Sequence, residues 1–264
     1  MITARLKDGL GNRLFQVAAL LGYAERWDLK PVFFPGRIID CAHEGSASIP
    51  DLFPHIPIVW DLSGPFITVD EAAADYCTYV ERARPLGEGV VVLNGHFQSE
   101  LYAPREPIRL DYSKILSAER RELVEMHYRD CAWWVHVRLG DYLTLPHHQI
   151  DVVAYLGKAL SEAGLKPGTR IAVYSDSPAL ALKILRTLRD DLEYVYPLIN
   201  FKTVETLYAM SLATEGCICT NSTFSWWGAY QVKDRCVVYF PGCWSQMAIS
   251  AAGIYPSWGK VIEM

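Results

Sequence analysis

The sequence predicts an α/β fold built on parallel β-sheets, and two observations support this. Short apolar runs alternate with segments of helical periodicity, a rhythm that is typical of βα units. The chain has 264 residues, 51% of them hydrophobic and 21% charged, which is enough to bury a core in one large domain or two small ones. A charged, helix-prone connector at 117–129 predicts a division into halves at 1–120 and 121–264.

The first half begins with a predicted strand at 2–6, a glycine-containing turn and an amphipathic helix that runs from Leu14 to Ala24. Further strands are predicted at 30–34 and 90–94. Prolines recur between these two strands, so loops and short helices are expected from 35 to 88.

The second half is more regular and has the rhythm of a doubly wound sheet. Strands are predicted at 132–137, 170–174, 192–196, 216–220 and 236–240, and helices at 178–188, 204–213 and 224–232. Ligands of open α/β sheets bind outside the carboxyl ends of the strands. The polar residues that directly follow strands are therefore the candidate site residues.

Composition excludes several classes of function. The formal net charge is −5 at pH 7, so the basic surplus of a nucleic-acid-binding protein is absent. The seven cysteines are irregularly spaced and include no C-x-x-C pair, which indicates reduced core residues rather than disulfides or a zinc site. Charges precede the first apolar run, and 14–24 is too short to span a bilayer. We therefore expect no integral membrane segment, and either a cytoplasmic, soluble enzyme of bacterial or viral type or a trimmed catalytic domain.

The first candidate segment is Gly9-Leu10-Gly11-Asn12, between a strand and a helix. Glycines let the backbone approach a ligand, and a helix N-terminus favours an anion. The third glycine of the dinucleotide-binding fingerprint is missing. An ordinary βα turn stays open as the alternative, and so does an oxidoreductase on a Rossmann fold, although no acidic residue stands directly after the predicted strand at 30–34.

The second candidate segment is His136-Val137-Arg138-Leu139-Gly140-Asp141, at the end of a strand. His136 and Arg138 are two residues apart, so they are predicted to project to the same side. A guanidinium presents a rigid fork of donors that suits two phosphate oxygens. It also neutralises charge on a departing diphosphate. The alternative is that Arg138 simply pairs with Asp141.

Two more polar segments follow strands. Ser175 and Asp176 end one of them, and Asp176 either accepts hydrogen bonds from ribose or a base edge, or caps the next helix. The other segment combines hydroxyls and backbone N–H groups in a possible phosphate cradle, made of Asn221, Ser222, Thr223, Phe224 and Ser225. An elaborate helix cap followed by core tryptophans is the alternative for this segment.

These segments, in this order, resemble the α-1,2-fucosyltransferases of glycosyltransferase family 11. The G-L-G-N-Q-L/M-F-Q-like segment of that family appears at 9–16, and G-Y-F-Q-S-E appears as G-H-F-Q-S-E at 95–100. H-x-R-R-x-D appears as H-V-R-L-G-D at 136–141, the S-D-like motif at 175–176, and N-S-T-F-S-W-W-G-A at 221–229. The resemblance covers nearly the whole chain.

The resemblance implies a GT-B-like fold with two Rossmann-type halves facing a cleft, the acceptor side at 1–120 and the donor side at 121–264. It implies GDP-β-L-fucose as the donor and the 2-hydroxyl of a galactose-containing glycan as the acceptor. The anomeric centre is expected to invert, with no metal and no cofactor. No D-x-D motif follows a predicted strand, which agrees with charge neutralisation by protein groups.

The resemblance also implies roles for single residues. Arg138 is expected to contact the diphosphate, His136 the nucleotide side of the site, and the 222–225 segment the phosphates. Asn12 is expected near the reacting centre, with the N–H groups near Gly11 and Ser222 as further donors. The catalytic base stays open between Asp141 and Glu100.

Three departures from the family pattern put acceptor choice in doubt. Arg13 replaces a glutamine, and we expect either an added cation beside the cleft or altered acceptor contacts. Leu139 replaces the second arginine, and the chain is short, mostly in its first half. Two alternatives therefore stay open: a GT-B transferase that uses another nucleotide sugar, and a non-catalytic nucleotide- or carbohydrate-binding protein.

Overall fold

The computed structural model describes residues 1–37, 49–72, 77–197, 201–246 and 252–263. These residues form two compact units. The first contains residues 1–115 and 252–256, and the second contains residues 116–246 and 257–263. The boundary between the units lies five residues before the predicted one, and a short C-terminal stretch groups with the first unit. Among the described helices, none has the length and apolarity to cross a bilayer.

The first unit is built on a small parallel sheet. Its strands are β1 (Ile2–Ala4), β2 (Phe66–Asp70) and β3 (Val90–Asn94), in the order β1-β3-β2. The central strand β3 is buried up to its last residue, Asn94. Helix α1 (Leu10–Trp27) follows β1 and buries most of its residues, and a short helix α2 spans Ile49–Leu52.

Two predictions for the first unit were wrong. No strand forms at 30–34, where only isolated bridges join Pro31 to Ile2 and Phe33 to Ile58. The bridge to Ile2 uses the carbonyl of Lys30 and the N–H of Val32, whereas Phe33 bonds to the carbonyl of Pro57, so neither pairing extends beyond a single bridge. The second error concerns the segment 35–88, which was predicted as loops and short helices but contains strand β2. Parts of that segment, 38–48 and 73–76, lie outside the described residues.

Helix α1 begins earlier than predicted. Gly9 is its N-cap, so Leu10, Gly11 and Asn12 belong to its first turn rather than to a separate turn. The first-turn N–H groups of a helix have no acceptor within the helix. Those of Gly11 and Asn12 therefore lie just after β1, at the carboxyl edge of the sheet.

The second unit is an open sheet of six parallel strands, preceded by helix α3 (Ala118–Tyr128). The strand order is β6-β5-β4-β7-β8-β9. The strands are β4 (Trp133–Val137), β5 (Arg170–Ser175), β6 (Glu193–Val195), β7 (Gly216–Ile218), β8 (Val237–Pro241) and β9 (Lys260–Ile262). The helices between them are α4 (Val152–Glu162), α5 (Pro178–Leu188), α6 (Thr203–Met210) and α7 (Thr223–Tyr230).

The order of the strands reverses between β4 and β7. From β4 the chain winds outward through β5 to β6, then returns to the other side of β4 and winds through β7 to β8. In a doubly wound sheet this reversal opens a crevice at the carboxyl ends of the two strands. The prediction of a doubly wound α/β arrangement is confirmed, and it places the segments after β4 and β7 side by side.

The core of the second unit packs the sheet against its helices. A cluster that includes Val135, Tyr155, Leu160, Val173 and Leu185 contains the buried faces of β4, β5, α4 and α5. The six described cysteines are free, as predicted for reduced core residues, while Cys41 lies outside the described residues. Burial raises the pKa of the Cys217 and Cys219 thiols well above the usual value, so these thiols stay protonated.

Candidate functional site

The strongest candidate site lies where the second sheet reverses its order. Strands β4 and β7 are neighbours, with Val135 opposite Ile218, so the residues that follow each strand meet at one edge. The two segments are joined directly, because the backbone N–H of Arg138 donates to Oγ1 of Thr220 at 3.1 Å. The structure therefore brings the 136–141 and 221–225 segments together.

Two carboxylates hold the guanidinium of Arg138. Its Nη2 donates to Oδ1 of Asp141 at 2.8 Å, and its Nε lies 3.1 Å from Oδ2 of Asp176. The guanidinium also sits 5.3 Å from the ring centre of Tyr142. The Arg138–Asp141 ion pair that stood as the alternative is thus present, and it is one of two. The Arg138 side chain is 26% exposed, so a ligand can reach it.

Asp176 is a fixed part of this cluster and does not cap a helix. Its Oδ1 accepts from the backbone N–H of Leu139 at 2.9 Å, while Ser177 is the N-cap of α5. A Cβ at Gly140 would lie 2.4 Å from Oδ2 of Asp176. A side chain at position 140 would therefore displace the Asp176 carboxylate from its present place against the backbone.

Ser175 stabilises the turn that presents Asp176. Its hydroxyl donates to the carbonyl of Val137 at 2.6 Å and accepts from the backbone N–H of Ser177 at 3.0 Å. With its hydroxyl hydrogen committed to β4, Ser175 ties the ends of β4 and β5 together. Its contribution to the site is this positioning of the neighbouring aspartate.

His136 lies in β4 and is only 6% exposed. Burial, together with the charge of Arg138, lowers the pKa of His136 to about 3, so the imidazole is neutral at neutral pH. Its Nδ1 is 3.4 Å from the hydroxyl of Thr220, which already accepts from the Arg138 N–H and so has its hydrogen to donate. His136 can offer a ligand a neutral ring edge but no positive charge.

In the segment after β7, some side chains are buried and hydrogen-bonded within the protein, and others are accessible to a ligand. Asn221 is buried, and its amide donates to the carbonyls of His148 and Trp244 at 2.9 and 3.0 Å. The Ser225 hydroxyl is fully buried and lies 3.0 Å from the carbonyl of Ser222. These two residues thus fix the turn that starts α7.

The groups suited to an anion are at the first turn of α7. Ser222 is its N-cap and forms no side-chain cap hydrogen bond, and Thr223 and Phe224 are half-buried. The N–H groups of a first turn have no acceptor within the helix, and the helix dipole favours negative charge there. Of the 221–225 segment that was predicted as a phosphate cradle, Thr223 and Phe224 lie in this first turn, whereas the N–H of Ser222 donates to the carbonyl of Thr220 at 2.8 Å.

Asn12 lies in the first unit, at the carboxyl end of β1. Its Oδ1 accepts from Nε2 of Gln98 at 2.8 Å, and Oε1 of Gln98 in turn accepts from the thiol of Cys77 at 3.2 Å. Gln98 and Cys77 are buried, at 2% and 1% exposed. The amide of Asn12 is therefore held in one orientation.

The two residues that depart from the family pattern are both buried. Arg13 is 1% exposed, and its Nε donates to the carbonyl of Asp8 at 2.9 Å, so the expectation of a cation beside a cleft was wrong. Leu139 is 3% exposed and packs in the core of the second unit. An arginine at position 139 would need a partner for a buried charge, which this core does not provide.

Sequence reasoning missed several residues that lie beside the predicted site segments of the two units. Thr220 and Tyr142 each adjoin a predicted segment, so adjacency was the available signal. In the first unit, Glu71 accepts from the backbone N–H groups of His96 and Phe97 at 2.6 and 2.8 Å, and Oδ2 of Asp8 lies 2.8 Å from Nε2 of His96. Asp8 and Glu71 gave no local signal, because these contacts depend on which strands are neighbours. Of the two candidate bases, Asp141 is engaged by Arg138, and Glu100 begins a short 3-10 helix at Glu100–Tyr102.

The chain was compared with known proteins. No protein-family model matches it. It is 26% identical over 265 residues to a Caenorhabditis elegans galactoside 2-alpha-L-fucosyltransferase, covering 91% of this chain and 71% of that protein.

Similarity to solved structures extends over most of the fold. The structure of POFUT1 in complex with GDP aligns with a TM-score of 0.51 and 12% identity, covering 90% of this chain and 97% of that one. The structure of POFUT1 in complex with GDP-fucose aligns with a TM-score of 0.50, the same identity of 12%, and the same coverage of 90% and 97%. At this identity the similarity shows the fold, and the predicted GT-B-like class is confirmed.

Proposed function

We propose that this chain is a fucosyltransferase that moves L-fucose from GDP-β-L-fucose to the 2-hydroxyl of a galactose-type acceptor. The sequence similarity to a galactoside 2-alpha-L-fucosyltransferase, over 91% of the chain, supports the reaction class. The observation that carries the proposal is the position of Arg138. It lies at the strand-order reversal of an α/β sheet, tied to the segment that starts α7.

The donor is proposed to bind with its diphosphate between Arg138 and the first turn of α7. A guanidinium and the first-turn N–H groups of a helix are both hydrogen-bond donors that favour a negative charge. The single arginine carries the positive charge of the cluster, because Leu139 is apolar and His136 is neutral. The neutral His136 is proposed to line the nucleotide side of the same site.

The two carboxylates around Arg138 are proposed to have different roles. Asp176 is anchored by the N–H of Leu139 and its side chain is 24% exposed, whereas the Asp141 side chain is 46% exposed. A diphosphate and two carboxylates compete for one guanidinium. We expect the diphosphate to replace Asp141, while Asp176 continues to hold the guanidinium plane.

The proposed chemical step is an in-line displacement with inversion. The acceptor oxygen forms a bond to the anomeric carbon while the bond to the β-phosphate oxygen breaks, and its electron pair leaves with GDP. The hydroxyl proton passes to a base. Donors already aimed at the departing oxygen stabilise the charge that develops there, and such groups are typically the largest catalytic contribution. The charge is neutralised by protein groups in this proposal, so neither a metal nor a cofactor is required.

Asn12 and the first-turn N–H of Gly11 are proposed to act on the acceptor side, in the first unit. The hydrogen bond from Gln98 holds the Asn12 amide in a single orientation. A fixed amide suits recognition of a sugar hydroxyl, because it presents one acceptor and two donors in known directions.

Nucleotide binding tests the donor assignment and separates the proposal from its alternatives. At 100 times Kd, GDP should stabilise the chain by about 2.7 kcal/mol and raise the Tm, whereas UDP and ADP should do so only at higher concentration. Arg138→Ala should lose the protection by GDP. Arg189→Ala is the matched control, because Arg189 is also 26% exposed and paired with an aspartate, but follows α5 at the other edge of the sheet. A preference for UDP would contradict a GDP-fucose donor.

A further inference from the structure

A single buried hydroxyl joins the arginine and the histidine of the proposed donor site. Thr220 lies just after β7, and its side chain is fully buried. Its Oγ1 accepts from the backbone N–H of Arg138 at 3.1 Å and lies 3.4 Å from Nδ1 of His136. Within the described part of the chain, these two contacts are the hydrogen bonds of the Thr220 hydroxyl. All three residues belong to the second unit.

The hydrogen of the Thr220 hydroxyl is directed at His136. A hydroxyl donates one hydrogen and accepts through two lone pairs. One lone pair accepts from the Arg138 N–H, and Nδ1 of His136 is the acceptor within reach of the hydrogen among the described residues. A buried hydroxyl that did not donate would cost free energy, because it gives up a hydrogen bond to water. Thr220 therefore donates to Nδ1.

The opposite arrangement leaves a polar hydrogen unpaired. If Nδ1 of His136 carried the hydrogen, Oγ1 of Thr220 would accept from two donors and its own hydrogen would have no acceptor among the described residues. Thr220 is fully buried, so bulk water does not supply one. A neutral imidazole carries one N–H, and its other nitrogen accepts. Because Nδ1 accepts, the hydrogen of His136 lies on Nε2.

The ring of His136 is fixed in place as well as in protonation. His136 lies in β4 opposite Tyr174 of β5, and its ring centre is 5.8 Å from that of Phe224 in the first turn of α7. Its Nε2 forms no hydrogen bond within the described residues, and it is the polar atom of this ring that a ligand can use. A fixed ring with a single N–H presents that donor in one direction.

We infer that Thr220 is a positioning residue, which makes His136 a hydrogen-bond donor, through Nε2–H, to an acceptor atom of the guanosine moiety of GDP. The inference rests on the proposed function, in which His136 lines the nucleotide side of the site, and it adds the direction of that hydrogen bond. The same hydroxyl accepts from the N–H of Arg138. Thr220 therefore holds the backbone of the arginine and the ring of the histidine in one arrangement.

Nitrogen NMR of the full chain, labelled with ¹⁵N at histidine, tests the position of the hydrogen directly. In the unmodified chain, Nε2 of His136 should have the chemical shift of a protonated nitrogen and Nδ1 that of an unprotonated one. The signals are assigned by their loss in His136→Gln. Addition of GDP should shift the Nε2–H resonance. A hydrogen on Nδ1, or rapid exchange between the two neutral forms, would overturn the inference.

Two substitutions of Thr220 separate its hydroxyl from its shape. Thr220→Ser keeps the hydroxyl and should keep both the protonation of His136 and the Kd for GDP. Thr220→Val keeps the shape without the hydroxyl, so both neutral forms of His136 should be populated. The Kd for GDP should then rise by about 2–10-fold, the effect of one ordinary hydrogen bond. Thr187→Val is the matched control, because the Thr187 hydroxyl donates to the carbonyl of Lys183 on the exposed face of α5.

A purely structural role for Thr220 gives different results. An unchanged protonation of His136 in folded Thr220→Val would overturn the inference, and so would an equal rise in the Kd for GDP and for inorganic diphosphate, because the effect would then act through Arg138 alone. If Thr220→Val does not fold, the spectra of the unmodified chain and of Thr220→Ser still decide. Failure of the unmodified chain to bind GDP would remove the proposed function, whereas the spectrum of the free chain would still show whether Thr220 fixes His136.

Discussion

At the scale of single residues, the site in the second unit is an arginine fixed by its neighbours. Asp141 and Asp176 accept from different nitrogens of Arg138, and the ring of Tyr142 lies beneath the guanidinium. A side chain that is fixed before the ligand binds loses less conformational freedom on binding. Because Leu139 is apolar and His136 is neutral, Arg138 supplies the positive charge of this cluster, opposite the two carboxylates.

The first prediction concerns the charge of Arg138 and the planar geometry of its guanidinium. Arg138→Ala should lower kcat by about 10²–10³-fold, the usual effect of removing one donor aimed at a developing charge. Arg138→Lys should also be strongly impaired, because an ammonium cannot donate to two oxygens in the planar geometry of a guanidinium. Initial rates with saturating donor measure both. A near-normal kcat for Arg138→Lys would contradict the role given to Arg138.

The second prediction separates the two aspartates. Asp141→Asn should lower the Kd for GDP, because the diphosphate no longer competes with a carboxylate for Arg138. Asp176→Asn should lower kcat more than Asp141→Asn does, since it loosens a guanidinium that the backbone N–H of Leu139 holds through Asp176. Calorimetric titration with GDP and initial rates give both values. Equal effects of the two substitutions would argue against distinct roles.

At the scale of secondary structure elements, β4 positions the candidate site, and burial of this strand keeps His136 uncharged. Strand β4 is the middle strand where the sheet order reverses, and its five residues are all buried. His136 is one of these residues, and its lowered pKa means that the folded state binds its proton less readily than the unfolded state. Stability of the second unit is therefore linked to pH through this strand.

The third prediction follows from the sign of that linkage. The pKa of His136 falls from 6.5 to about 3 on folding, so its contribution is fully present above pH 6.5 and is lost as the pH falls towards 3. As the pH falls from 6.5 to 5, this residue should lower the free energy of unfolding by about 2 kcal/mol. His136→Gln should remove that part of the pH dependence, as measured by urea denaturation, and the exposed His55→Gln should not. An unchanged pH dependence in His136→Gln would contradict a neutral, buried imidazole.

The sequence predicted correctly those helices and strands that are marked by neighbouring residues, such as a proline in the first turn or apolar residues at regular spacing. Helix α5 has both predicted ends, because Pro178 sets its first turn and an apolar face recurs at helical spacing. Strand β2 was missed because its residues are exposed or half-buried in alternation and lie among prolines. The predicted strand at 30–34 forms only isolated bridges, because its residues pair with two different partners, Ile2 and Ile58, and neither pairing extends further.

The local sequence identified the segments that form the candidate site, but it did not identify which of their residues contact one another. Polar residues after strands identified the edge of each sheet, since that rule needs only the strand positions. The bonds from Arg138 to Thr220 and from Gln98 to Asn12 span 82 and 86 residues. Such pairs follow from the order of strands in a sheet, which no local pattern specifies.

At the scale of the whole molecule, each unit carries a fixed polar cluster at the carboxyl edge of its parallel sheet. The formal net charge is −5, so the chain as a whole exerts no general attraction on an anionic nucleotide. Binding of the donor must therefore depend on local groups, which are Arg138 and the first turn of α7 in our account. The prediction that no metal takes part follows from the same assignment.

Fucosyl transfer by the purified chain tests the central claim most directly. The chain is incubated with GDP-fucose and a β-galactoside, with and without EDTA, and the product linkage is determined by NMR. Our account predicts an α-1,2-linked fucosyl galactoside, formed equally with EDTA and reduced by about 10²–10³-fold in Arg138→Ala. No transfer across a broad galactoside panel, another linkage, or a loss with EDTA that Mn²⁺ or Mg²⁺ restores would contradict it.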